Sequence, residues 1–422
     1  MKRYQQIAGQ LNAWLFLVLV ALLPFPQITL RYAFVLWLVS WLLEGRWLRR
    51  PQSIRKNKIV IPFLLFGLWY AWKALSVFWS PDHAAWAWQM ERYMAFALLV
   101  PVGIWGVNNY YDWKKAGRVL MISCLCAVPF YLAVMTVLYY HPELIETLHL
   151  KGDWHLYLHP WHLFVADNIS FIKHRLFLCS IELVGAMMAF MLYRKRPFIL
   201  IPSLLVMLSV IPLTGSRQSI LTVAAMMVVG LLMSLPRRYR WRYGVGILLL
   251  GVVLGGGLLK LHPRMQQFDF ASIKQMREVS YEHDVRLNIY GCALQQPEDY
   301  LAYGFGAGQS TGYLMDIYRE KGFDYYIVKQ YHAHNQYLQE LMEIGIPGLV
   351  FFFLAWLSIP IFARKEDKRF ALQFFTLFFL NMNTDCMFGM FDGIVLWAFG
   401  MVFLLIPQIE PTDALSPPSP VA

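Results

Sequence analysis

Apolar stretches close to one bilayer thickness dominate this chain. LNAWLFLVLVALL, IVIPFLLFGLWYAW, FILIPSLLVMLSVIPL and YGVGILLLGVVLGGGLL each approach the roughly 20 residues that one crossing needs. In lipid every backbone polar group must be satisfied internally, and a helix does so within one segment. The expectation is an all-α integral membrane protein with about 12 transmembrane helices, at 8–24, 30–45, 59–79, 93–109, 119–140, 175–193, 198–213, 217–235, 243–260, 335–362, 370–387 and 391–407. Composition agrees, since 58% of residues are hydrophobic and only 15% charged, against about 25% charged in soluble domains. The first span opens after Lys2 and Arg3 and runs into the second through PFPQ, which predicts a retained span rather than a cleaved signal sequence.

A net charge of +11 raises the question of an anionic partner such as nucleic acid. Location answers it. Most of the 37 Lys and Arg residues fall in alternate connections: the N-terminus, RWLRRPQSIRKNK, WKKAGR, YRKRP, RRYRWR and ARKEDKR. The positive-inside rule makes these connections cytoplasmic, so no nucleic-acid partner is expected. Both termini are then inside, and segments 141–174 and 261–333 face outward. Residues 1–422 read as one polytopic membrane domain, with 261–333 as a large outer loop or cap carrying short helices and 408–422 as a Pro-rich, disordered cytoplasmic tail. The five cysteines show no CxxC pair, so neither a disulfide framework nor a zinc site is expected from them.

Polar residues cluster where the tenth span begins, in YHAHNQYLQELMEIGIPGLV. A neutral histidine there, with an ordinary pKa of about 6.5, is a competent general base near physiological pH. If the helix runs from His334, Gly345 lies about 20° round it and roughly 16 Å along it. Gly348 shares that side, giving a smooth stripe for a lipid or a neighbouring helix. On one helix His332 and His334 would diverge, and no acid has the spacing to complete a metal site with them, so no metal is expected. Outward arginines are the less expected ones under positive-inside bias, and three stand out. Arg217, in LTGSRQSIL, follows a candidate N-cap, Ser216, and opens a helix start suited to phosphate. Arg286 lies in the outer segment, and Arg175 lies where the sixth span begins. The plain alternative for each is an interface anchor. Asp385 and Asp392 occupy the last outward hairpin, either orienting a histidine or binding a sugar hydroxyl, or merely solvated. GFGAG (Gly304, Gly306, Gly308) reads as a turn, since no strand precedes it. Lys73 either snorkels or faces the bundle interior.

His334, Asn335, Gly345 and Gly348 fit the pattern H-[NSQ]-x9-G-x-x-[GTY], and Arg217 and Leu221 fit R-x3-L. On these motifs the chain resembles the O-antigen ligases of the WaaL family, within a superfamily that includes O-antigen polymerases. The resemblance extends to the number of spans and to the large late loop, and it implies a GT-C-like fold. It also implies a bacterial inner-membrane enzyme with a periplasmic active site. Such an enzyme moves a glycan from undecaprenyl pyrophosphate to the lipid A core oligosaccharide, by inverting displacement and without metal or other cofactor. His334, Arg217 and Arg286 then carry catalysis. Arg175, Asn335, Gly345, Gly348 and one of Asp385 and Asp392 contact substrate, and the lipid tail lies along the glycine stripe.

Overall fold

A computed structural model describes residues 2–48, 58–141, 143–144, 173–214, 216–261 and 285–408. Segments 145–172 and 262–284 and the expected tail from 409 onward lie outside the described residues.

No strand occurs among the described residues, and helices account for nearly all of the apolar sequence. The first nine are α1 (Lys2–Leu22), α2 (Gln27–Leu43), α3 (Val60–Leu75), α4 (His83–Trp105), α5 (Trp113–Tyr140), α6 (Arg175–Tyr193), α7 (Pro197–Thr214), α8 (Arg217–Ser234) and α9 (Arg237–Leu261). Three short helices of the outer segment follow: α10 (Val285–Ala293), α11 (Ser310–Glu320) and α12 (Asp324–Lys329). The last three are α13 (Gln336–Phe362), α14 (Lys368–Met382) and α15 (Phe391–Leu405). Seven of these, α1, α3, α5, α6, α7, α8 and α13, are long and apolar enough to cross a membrane. Shorter apolar helices lie at Gln27–Leu43, Arg242–Val253 and Phe391–Leu405, while α4 and α14 overlap the remaining two expected spans. The chain is a multi-pass membrane protein.

The described residues fall into two compact units. The first comprises Met1–Ser53, Ile104–Ala224 and Val395–Ala422, and the second Ile54–Gly103 and Ala225–Ile394. In the first unit α1 packs on α2, and α6 packs on both α5 and α7. Buried polar side chains tie these helices together: Asn12 donates to Trp37 O at 3.0 Å and to Ser40 Oγ at 2.8 Å, and Lys173 Nζ donates to Leu23 O and Phe25 O, each at 2.6 Å. In a low-dielectric interior such fully made bonds are worth keeping, because the unpaired alternative is costly.

In the second unit α3 lies along α13. Lys73 is fully buried on α3 and faces the bundle interior, where Glu340 and Glu343 of α13 pair with it. The two acids are three residues apart and so share one helix face. Lys73 Nζ lies 3.0 and 2.9 Å from the two Glu340 oxygens. It also lies 2.8 Å from Glu343 Oε2, in ion-pair contact without an aligned hydrogen bond. Glu340 further accepts from Trp69 Nε1 at 3.1 Å and Gln336 Nε2 at 2.8 Å, and Glu343 accepts from Ser310 Oγ and Gln339 Nε2, both at 3.0 Å. Two carboxylates and one ammonium thus have nearly all their bonding capacity filled, which is what makes their burial tolerable.

The helix α13 departs from the expected continuous cylinder. Gly345 has φ 66° and ψ −171°, so the helix is interrupted there. Its freed backbone bonds to the outer segment instead: Phe305 N donates to Met342 O, Gly306 N to Glu343 O and Ile346 N to Leu301 O, at 2.8, 2.9 and 2.8 Å. The GFGAG turn is therefore docked on α13, and Gly304 approaches so closely that a Cβ would stand 2.3 Å from Glu343 C. This corrects the glycine stripe. Gly345 and Gly348 are buried, a Cβ on Gly345 would lie 2.7 Å from Ala302 O and Tyr303 N, and one on Gly348 would meet the Ile344 side chain. Gly345 thus serves close backbone packing against the outer segment, and the space beside Gly348 is taken by the Ile344 side chain of the same helix. Gly345→Ala is accordingly expected to lower folding stability by at least about 1–3 kcal/mol, read as a drop in thermal midpoint of the purified protein.

The described part of the outer segment has its own small core. Ile289 and Cys292 of α10, Leu314 and Tyr318 of α11, Tyr326 of α12 and the connecting Tyr300 pack with Met342 of α13 and Cys386. Burial pushes the Tyr300 phenol up to about 12, so at neutral pH it stays protonated and donates to Ala293 O at 2.7 Å.

Candidate active site

Asn335 determines where α13 begins. Its backbone is extended, at φ −153° and ψ 115°, and its side chain accepts from Leu338 N at 3.0 Å, so it is the N-cap and the helix starts at Gln336. His334 therefore precedes the helix, which corrects the expectation of a helix running from it. Its φ of 46° places it in the left-handed region, uncommon for a residue with a Cβ.

That bend brings His332 and His334 together where a helix would have separated them. Their ring centroids are 4.1 Å apart with planes tilted by 30°. Asp385, after the end of α14, completes the group: its Oδ1 lies 3.7 Å from His334 Nδ1 and 3.8 Å from His332 Nε2. The same oxygen accepts from Cys386 N at 2.8 Å, which fixes its place. Asp385 keeps only 13% side-chain exposure and Asp392, in the first turn of α15, only 2% overall, so neither is the solvated hairpin carboxylate of the plain reading. Of the two acids, Asp385 is the one in contact with His334.

Backbone contacts hold the His334 peptide on both sides. His334 N donates to His332 Nδ1 at 3.1 Å, and Tyr290 Oη lies 3.1 Å from His334 O and 2.9 Å from Asn383 O. Asn335 Nδ2 reaches the same Asn383 carbonyl at 3.3 Å. Arg286 stands one turn before Tyr290 on α10, on the helix side that meets this loop. Beneath, Gln336 Oε1 accepts from Phe388 N at 2.8 Å while its amide reaches Glu340. The hairpin carrying Asp385 is thereby joined to the start of α13 and to the Lys73 network.

The arrangement suits base chemistry at His334. Its Nδ1 is buried with Asp385 Oδ1 as its nearest acid, at a distance that is electrostatic contact and not a formed hydrogen bond. A proton on Nδ1 faces that carboxylate and leaves a lone pair on Nε2, the tautomer a base requires. Catalytic hydrogen bonds of this kind commonly tighten only when substrate binds.

His332, His334 and Asp385 also stand close enough to be tested as a metal site, with ligand atoms within 4.8 Å of one another. The divergence expected of the two histidines is thus incorrect. Donor chemistry nevertheless fits a metal poorly, because His332 Nδ1 already accepts the His334 amide. The neutral His332 ring then carries its proton on Nε2 and has no lone pair to offer there.

Arg175 and Arg217 belong to the first unit. Arg175 opens α6 behind the N-cap His174, and Arg217 opens α8 behind Ser216, whose Oγ lies 3.4 Å from Ser219 N. Cys179 Sγ, one turn into α6, lies 3.2 Å from Thr214 Oγ1 at the end of α7. The two helix starts are therefore at the same end of this helix group, with the first amides of α6 taken up by His174 and those of Ser219 and Ile220 in α8 by Ser216.

Residues 202–353 match a family model described as O-Antigen ligase. Over these residues, which are less than half of its length, the chain is similar to O-antigen ligases. That family comprises both ligases and polymerases, enzymes of glycosyltransferase type that act on lipid-linked glycans. The matched segment contains Arg217, Arg286, His334, Asn335, Gly345 and Gly348, and leaves Arg175, Asp385 and Asp392 outside it. No curated protein matched the chain.

Proposed function

We propose that this protein is an O-antigen ligase that transfers a glycan from undecaprenyl pyrophosphate to the lipid A core oligosaccharide. The reaction takes place on the periplasmic face of a bacterial inner membrane, with the outer segment 261–333 as a cap. The observation that carries this reading is His334 held outside the helix start with Nδ1 turned to Asp385. An acceptor hydroxyl gives its proton to His334 Nε2 as its oxygen attacks the anomeric carbon. The bond to pyrophosphate breaks with its electron pair, and displacement from the opposite face inverts the anomeric centre. Asp385 stabilises the imidazolium that forms, and needs no metal ion to do so. Arg286 and Arg217 are read as cations for the departing diphosphate, with Arg175 as a further anion contact. The donor is already activated, so no nucleotide is required in the periplasm.

Supplying purified protein with a lipid-linked glycan, with and without lipid A core, tests the assignment. Glycan is expected on the core and nowhere else. Chain growth on the lipid carrier in the absence of core would make the protein a polymerase.

A further inference from the structure

His332 has no part in proton transfer as described above, yet it makes the contact that sets the backbone of the base. Its Nδ1 accepts the amide N–H of the residue two positions on, at 3.1 Å. An Asx turn has the same form, with a side-chain oxygen accepting the N–H two residues later. The turn closes around Ala333, which is fully buried, and delivers His334 into a left-handed conformation at φ 46°. Such conformations persist only where their surroundings over-determine them. Here the amide of His334 is held by His332, and its carbonyl is held by Tyr290.

The same bond fixes the tautomer of His332. With Nδ1 accepting, its proton is on Nε2 and faces Asp385 Oδ1 at 3.8 Å, the oxygen that also faces His334 Nδ1. The two rings, tilted by 30° with centroids 4.1 Å apart, place His332 directly beside His334. We propose that His332 is a positioning residue for the base, closing an Asx-like turn that holds His334 in its left-handed conformation with Nδ1 turned toward Asp385. The contact with Asp385 is secondary to the turn. This inference rests on the reading of His334 as the general base.

The test uses full-length protein in lipid nanodiscs with the lipid-linked donor and lipid A core. It compares His332→Ala, His332→Asn and His332→Gln in preparations that melt like wild type. Asn Oδ1 reaches the amide two residues on, whereas Gln is one methylene too long to close the same turn. The expected result is a fall in kcat of at least about tenfold for Ala and Gln with both KM values within about twofold, and Asn within about threefold of wild type. Ala within about threefold of wild type, or Asn no better than Ala and Gln, would overturn the proposal. If Ala does not fold, the contrast between Asn and Gln decides alone. His334→Ala, run alongside, separates the two ideas. An active His334→Ala removes the general base itself, whereas an inactive His334→Ala with an active His332→Ala removes only the role of His332.

Discussion

Lys73→Met is expected to cost about 3–5 kcal/mol of folding stability, the range seen when one partner of a buried ion group is removed. Lys73 and both acids that face it are fully buried, so water cannot replace the lost ammonium. Two carboxylates would then remain on one face of α13 with only neutral donors, Trp69, Gln336, Gln339 and Ser310, to hold them. The damage should reach the active site, because Gln336 links Glu340 to Phe388 N in the hairpin that carries Asp385. Replacing the acids as well, in Lys73→Met/Glu340→Gln/Glu343→Gln, removes the uncompensated charge and is expected to recover more than half of the lost stability. Chemical unfolding in detergent, followed by tryptophan fluorescence, reads both variants. A single mutant as stable as wild type would mean that the three groups are not energetically coupled.

The sequence displayed the helices clearly, because apolar length is a property of each segment by itself. It displayed His334, Asn335 and Arg217 because these sit in short spacings. Lys73 was visible as a misplaced charge, but its partners were not. Glu340 and Glu343 are separated from it by more than 260 residues of chain, and their spacing of three is common on any helix. The signal that could have found them is that two acids inside an apolar span demand a buried cation. Asp385 could not be separated from Asp392 for a similar reason, since only the folded hairpin decides which acid meets the histidine. Where the reading of α13 was wrong, a single assumption was responsible. Treating 334–348 as one regular helix separated His332 from His334 and aligned Gly345 with Gly348 into a stripe. An N-cap at Asn335 and a positive φ at Gly345 undo both conclusions. The Asn after the histidine and the Gly-x-Pro-Gly spacing carried that information, as residues suited to a helix start and a helix break.

The largest catalytic effect is expected at His334. Neither His332, whose Nε2 carries the proton, nor Asp385, which lies on the Nδ1 side of His334, offers a substitute base at the same point. A general base contributes about 10²–10⁴-fold, so His334→Ala should lose that much transfer while donor binding persists. The most direct measurement is single-turnover transfer of glycan from the lipid-linked pyrophosphate donor to lipid A core, by wild type and His334→Ala at matched donor occupancy. The account predicts a fall in rate of at least about 100-fold with donor affinity within about threefold. Transfer by His334→Ala at the wild-type rate would contradict it.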